Sequence, residues 1–293
     1  MLRRSFLLAT GALCLTPGAA RCSQLECRLR TIIAAVPGSI GMYARLMNDA
    51  PPLFSYAADE SFPAASTIKV LIMLTAFNLH DQGANTLQEP VLIRRSDVVA
   101  GSPFLTGARG DETYTVQTLV KPMIQLSDNS AANALISHFG FERINATAQR
   151  YGLRKTHLKR HFLDYRAVVH HHQNVTTPRD MGNLLYAIER GTREGLQTVA
   201  TPQSCRAMID IMLGQTDREK IRAGIPASTP VANKTGEVSG VRNDVAIIDP
   251  LGDTPFVLTI FTNHLTGHRA GVEAIQRIAR VVFDDVTATA GNL

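Results

Sequence analysis

The sequence predicts an α+β protein: an antiparallel β-sheet made from both ends of the chain and flanked by terminal helices, with an all-helical lobe inserted between its second and third strands. Three observations predict it. Short β-type runs bounded by turn residues sit near the start and near the end of the chain. Helical spacing dominates the stretch between them. Amphipathic helical segments precede the first strand and follow the last one. The 293 residues suffice for one large domain or two intimate ones, and 45% hydrophobic content with mixed charge is that of a globular protein. A net charge of +5, evenly spread, is too small to point to nucleic acid as a partner.

The first twenty residues, MLRRSFLLATGALCLTPGAA, have a basic start, an apolar run from Phe6 to Leu15 and small residues at Gly18 and Ala20. This is the plan of an export signal over 1–20, and Arg3-Arg4 fits the twin-arginine route. The run is too short to span a bilayer, so stable membrane insertion is not expected. Removing the signal leaves Cys22, Cys27 and Cys205, an odd count that allows at most one bridge. A Cys22–Cys27 bridge and free thiols are both compatible with the sequence.

The mature chain, 21–293, is expected to hold an α/β lobe from 24–61 and 206–293 and a helical lobe from 62–205. Leu25–Val36 has helical spacing, and Gly38–Met47 and Pro52–Ala58 read as strands around a turn at 48–51. Helices are expected in Thr115–Leu126, Ser130–Gly140 and Thr177–Gly191. In the last of these, Thr177 is placed to cap, Pro178 stands at the first helical position, and Gly191 marks the far end. Strands return in Val231–Val241, Asn243–Pro250 and Phe256–Leu265, and Gly271–Asp285 closes as a helix.

One helix is unusual. Between Ile68 and Phe77 apolar residues cover nearly every side, the mark of a buried helix, yet Lys69 stands one turn from Ser66 at its start. Burial disfavours an ammonium, and a neutral amine beside a hydroxyl takes its proton. The Ser66 N–H belongs to the unsatisfied donors of a first helical turn, where developing negative charge is stabilised. A capping serine with a snorkelling lysine would look the same in isolation.

Two further motifs occur once each: Ser127-Asp128-Asn129 in the helical middle and Lys234-Thr235-Gly236 on a late strand. Ser-x-x-Lys, Ser-Asp-Asn and Lys-Thr-Gly in this order resemble the penicillin-recognising serine enzymes, and the class A β-lactamases most closely. The resemblance extends to the segments Asn233–Ile248 and Val175–Met181 and covers nearly all of the mature chain. It implies an enzyme, a serine hydrolase that opens a β-lactam amide through an acyl-enzyme. Ser66 would be the nucleophile and Lys69 its activator. Ser127 would relay a proton to the leaving nitrogen. Lys234 would polarise that hydroxyl and, with Thr235, bind the substrate carboxylate. Asn129 would bond the substrate side-chain amide, Gly236 would let the strand approach a ligand, and the Glu237 N–H would be the second oxyanion donor. Arg242 is either a further cation for the substrate or a solvated strand-edge residue.

The match stops at one place. Class A enzymes carry Glu-x-x-x-Asn in the loop before the Thr-Thr-Pro helix, whereas no glutamate lies between Glu142 and Glu189 here. The only acid of that loop is Asp164, read either as a replacement base or as a carboxylate that ties the loop; His161 is a weaker candidate base. Loss of a general base costs about 10²–10⁴-fold, so release of the acyl group is the step in question. A related D-alanyl-D-alanine peptidase, or a protein that is acylated and releases slowly, therefore stands beside the hydrolase. His170-His171-His172 cannot readily converge on one ion, so neither metal nor cofactor is expected. The partner expected is a small molecule, and the chain is taken as an exported monomer.

Overall fold

The computed structural model describes residues 23–48, 50–107 and 110–290. The export signal expected over 1–20, and Cys22, lie outside the described residues. Helix α1 (Gln24–Ala34) leads into β1 (Ser39–Leu46), β2 (Phe54–Tyr56) and the short β3 (Phe62–Pro63). The middle of the chain holds α2 (Lys69–Leu79), β4 (Pro90–Ile93), β5 (Glu112–Thr115), α3 (Val116–Gln125), α4 (Asn129–Phe139), α5 (Phe141–Arg150), α6 (Tyr165–Val169), β6 (Val175–Thr176) and α7 (Pro178–Glu194). It continues into α8 (Pro202–Leu213) and α9 (Ile221–Gly224), and the chain ends with β7 (Val231–Val238), β8 (Val241–Ile248), β9 (Phe256–Asn263) and α10 (His268–Ala290).

The five-stranded sheet has the order β2-β1-β9-β8-β7 and is antiparallel throughout, with β1 running beside β9 from Ser39↔Asn263 to Leu46↔Phe256. Both ends of the chain thus build one sheet, and the α+β architecture expected from the sequence is the one observed. Helices α1 and α10 cover one face, where Leu29, Ile33, Ile275 and Ile278 pack on Met42, Leu258 and Ile260. The other face joins the helical middle through Val245, Ile247, Val257 and Phe261. With both faces covered, β8 and β9 are buried along nearly their whole length without alternation, and residues 245–248 and 256–258 are apolar runs. Among the described residues, no helix is long and apolar enough to cross a membrane.

Helix α2 is buried at every position from Lys69 to Asn78. Val70, Leu71, Ile72, Met73, Leu74 and Phe77 each contribute about 1.5–3 kcal/mol by leaving water. Their combined burial fixes the helix rigidly enough to hold Lys69 out of solvent. In α7, Thr177 caps by accepting the N–H of Asp180, and Pro178 opens the helix, as expected. The far end is not Gly191. The helix runs on to Glu194 and stops at Gly195, whose φ of +65° is the left-handed cap. Gly191 lies inside the helix, hard against Thr198 and Cys205. Helix α8 passes without a break through 205–206, and Cys205, Met208, Ile209 and Met212 pack into the core of the helical middle.

Candidate active site

Residues 65–68 form a tight 3-10 turn that feeds α2 and puts Ser66 at its entrance, half-buried. Ala65, just before it, sits at φ +47°, and Ser127 sits at φ +57°. Non-glycine residues in this region are held there against local strain, which concentrates at functional sites. Strand β7 presses on the turn at Gly236: a Cβ there would stand 3.1 Å from Ser66 N, Ala64 O and the Thr67 Cγ2 methyl. What Gly236 admits so closely is the turn that carries Ser66, and Ser66 and Glu237 line the same cleft.

The structure brings the three motifs together. Lys69, fully buried, donates to the Ser127 carbonyl at 2.7 Å and to Asn129 Oδ1 at 2.9 Å, and its Nζ stands 3.2 Å from Ser127 Oγ, within hydrogen-bond reach. Lys234, also fully buried, donates to the same Ser127 Oγ at 3.1 Å and to its neighbour's carbonyl, Thr235 O, at 2.8 Å. The Ser127 hydroxyl is therefore bracketed by two amines. Two adjacent ammonium groups in a dry site would repel each other, and the repulsion is relieved by loss of a proton. Burial, and then the neighbouring Lys234, hold Lys69 well below the usual lysine range. Burial brings Lys234 down to about 7, against the opposing pull of Asp244 and Asp217. Ser66 Oγ makes no hydrogen bond within the described residues. It lines an open cleft with Ser127, Asn129, Thr235, Gly236 and Glu237.

The remaining residues expected at the site fall into place less uniformly. Asn129 lines the cleft, but its side chain is already engaged, accepting from Lys69 and donating to Ala100 O at 3.1 Å. Asp128, fully buried, accepts the N–H groups of Ala131, Phe104 and Leu105, tying the 102–105 loop to the start of α4. Arg242 folds back onto its own hairpin, donating to Val238 O at 2.9 Å, Val241 O at 2.6 Å and His268 Nδ1 at 2.5 Å. Asp164 is exposed and caps the short α6 by accepting the Ala167 N–H at 3.0 Å. It does not line the cleft around Ser66. His161 pairs with Ser137 at 3.1 Å, and burial holds its imidazole below its ordinary range. Among the described residues no three His, Cys, Asp or Glu side chains converge on a point where a cation would sit.

Sequence reasoning missed two groups. The first is Phe162, whose ring centroid lies 4.3 Å from Lys69 Nζ. Asn133 fixes the Phe162 peptide from both sides, accepting its N–H at 2.7 Å and donating to its carbonyl at 3.1 Å. The aromatic ring thus covers one face of the Lys69 amine. The second group is Lys220, fully buried, paired with Asp217 at 2.7 Å and Glu237 at 2.5 Å. Burial alone would lower its ammonium, but the two carboxylates outweigh it and raise it above the ordinary lysine range.

Comparison with known proteins agrees with this geometry. A model of the β-lactamase enzyme family matches residues 24–286. Beta-lactamase CTX-M-25 of Escherichia coli is 28% identical over 96% of this chain and 97% of its own length. The carbapenem-hydrolysing β-lactamase KPC of Klebsiella oxytoca is 30% identical over 77% of this chain and 76% of its own. Among solved structures, a PBP-A mutant held as an acyl-enzyme complex with penicillin G superposes with a TM-score of 0.81 at 25% identity, covering 94% of this chain and all of that one. With a match across almost the whole described chain and the three motifs meeting in one cleft, the chain belongs to the β-lactamase enzyme family.

Proposed function

We propose that this chain is an exported serine hydrolase that opens the β-lactam amide through an acyl-enzyme on Ser66, working as a monomer without metal or cofactor. The observation that carries the proposal is the Ser127 hydroxyl held between two buried amines, one turn from a serine at the mouth of a helix. Ser66 Oγ attacks the lactam carbonyl carbon as Lys69 takes its proton. The Ser66 and Glu237 N–H groups receive the developing oxyanion. The C–N bond breaks, and Ser127 delivers its proton to the departing nitrogen while Lys69 passes to Ser127 the proton it took from Ser66, with Lys234 hydrogen-bonded to the same oxygen. Water then attacks the ester and frees Ser66. Lys234 and Thr235 take the substrate carboxylate, Gly236 allows the strand its close approach, Asn129 meets the acyl side chain, and Arg242 adds positive potential at the cleft edge.

Deacylation is the slower half. Phe162 occupies the face of Lys69 where a carboxylate base would stand, and Asp164 is committed to capping α6. This observation favours a long-lived acyl-enzyme, the behaviour shared by slow hydrolases and by peptidases of D-alanyl-D-alanine ends that are trapped by β-lactams. Mixing the protein with a chromogenic cephalosporin while following colour and intact mass tests the reading. A rapid stoichiometric adduct followed by slow steady turnover is expected. Absence of both adduct and turnover would overturn it.

A further inference from the structure

The wall of the cleft beside β7 carries more opposite charge than an anion-binding edge calls for. Lys220, with no exposed surface, is held between Asp217 Oδ2 at 2.7 Å and Glu237 Oε1 at 2.5 Å. The same Glu237 Oε1 lies 4.0 Å from Arg242 Nε, and the Arg242 side chain is only 14% exposed. Lys220, a cation that would otherwise greet an anion near Lys234, therefore serves carboxylates of the chain itself. Those two carboxylates are the exposed members of the cluster, Asp217 at 30% and Glu237 at 40%, and both line the cleft that holds Ser66. Glu237 sits next to Gly236 on β7.

We infer that Glu237 is a specificity-determining residue: its carboxylate is a built-in occupant of the anion subsite, so the cleft selects acyl donors that are uncharged at the position where a β-lactam carries its carboxylate. A carboxylated donor has to displace Glu237 from Lys220, or bind beside two fixed negative charges. Either route costs free energy that a neutral donor avoids. Asp217 supports the effect by holding the far side of Lys220.

The inference rests on Ser66 acylation, and the test separates the two. Second-order acylation rates are measured by intact mass for benzylpenicillin and for its methyl ester, in the wild type, in Glu237→Gln and in Asp217→Asn, with thermal melting to verify folding. The ratio of acid to ester rates is expected to rise about tenfold in Glu237→Gln, equivalent to about 1.4 kcal/mol, and to rise less in Asp217→Asn. An unchanged or lower ratio in folded Glu237→Gln overturns the inference while leaving acylation intact. If Glu237→Gln does not fold, an unchanged or lower ratio in folded Asp217→Asn overturns it. Failure of both probes to acylate the wild type overturns the Ser66 reading, and the inference with it.

Discussion

Replacing Phe162 with glutamate turns the slow half of the reaction into a direct test of the site. Asn133 grips the peptide on both sides of Phe162, at 2.7 and 3.1 Å, and this grip does not depend on the side chain. A carboxylate at 162 therefore stands near Lys69 Nζ, at about the 4.3 Å now spanned to the ring centroid. Two unit charges at that separation interact by about 4 kcal/mol at an effective permittivity of about 20. Two consequences follow from that one number. The carboxylate gains a position from which to take a proton from water, and a general base contributes about 10²–10⁴-fold. It also favours the ammonium form of Lys69, so the rise of acylation with pH moves to higher pH. The assay is the lifetime of the penicilloyl adduct, followed by intact mass after gel filtration, beside acylation rates across pH. The adduct of Phe162→Glu is expected to decay about 10²–10⁴ times faster than that of the wild type. An unchanged lifetime in a folded variant that still acylates would refute the claim that this ring stands at the place of the missing base.

Lys234, brought down to about 7 by burial, holds its charge below that pH and loses it above. Apparent KM for a carboxylated cephalosporin is expected to rise as pH passes upward through about 7, measured as initial rates from pH 6 to 9; a flat KM would show that this charge does not meet substrate. Asp244, fully buried and accepting from Asn233 and the Ile221 N–H, is pushed up to about 6 by burial, from an ordinary 3.8. The folded protein then binds a proton that the unfolded chain has released, so the stability due to this group is greatest at low pH and declines as pH rises from about 4 to about 6. The stability of the wild type relative to Asp244→Asn, followed by thermal melting, is expected to fall over that window; a constant or rising difference would contradict the assigned burial.

The parts of the molecule that the sequence made legible are those whose signal is local. An apolar run with no polar side is a buried helix wherever it falls, so α2 and the burial of Lys69 could be read from Ile68–Phe77 alone. Thr177-Pro178 marks a helix start by backbone chemistry within one turn. Glycine is ambiguous because it serves two purposes. Gly191 satisfies close packing against Cys205 and Thr198, while Gly195 supplies the left-handed cap, and spacing alone favoured the wrong one. The two features that shape the site's behaviour were not legible. Phe162 matters because Asn133, on another helix, aims its peptide, and a phenylalanine in a loop carries no sign of that. The Lys220–Glu237 pair joins a loop to a strand across the cleft edge, and either residue alone reads as a solvated charge. Asp164 drew attention as the loop's only acid, yet its local geometry, three residues before a free helical N–H, made it a cap.

The central claim is that Ser66 carries the acyl group. Peptide mapping by mass spectrometry after a brief incubation with benzylpenicillin tests it most directly. One adduct per chain with the full mass of the drug, located on the peptide containing Ser66 and lost in Ser66→Ala, is the predicted result. An adduct on any other peptide, or one that persists in Ser66→Ala, would contradict the account.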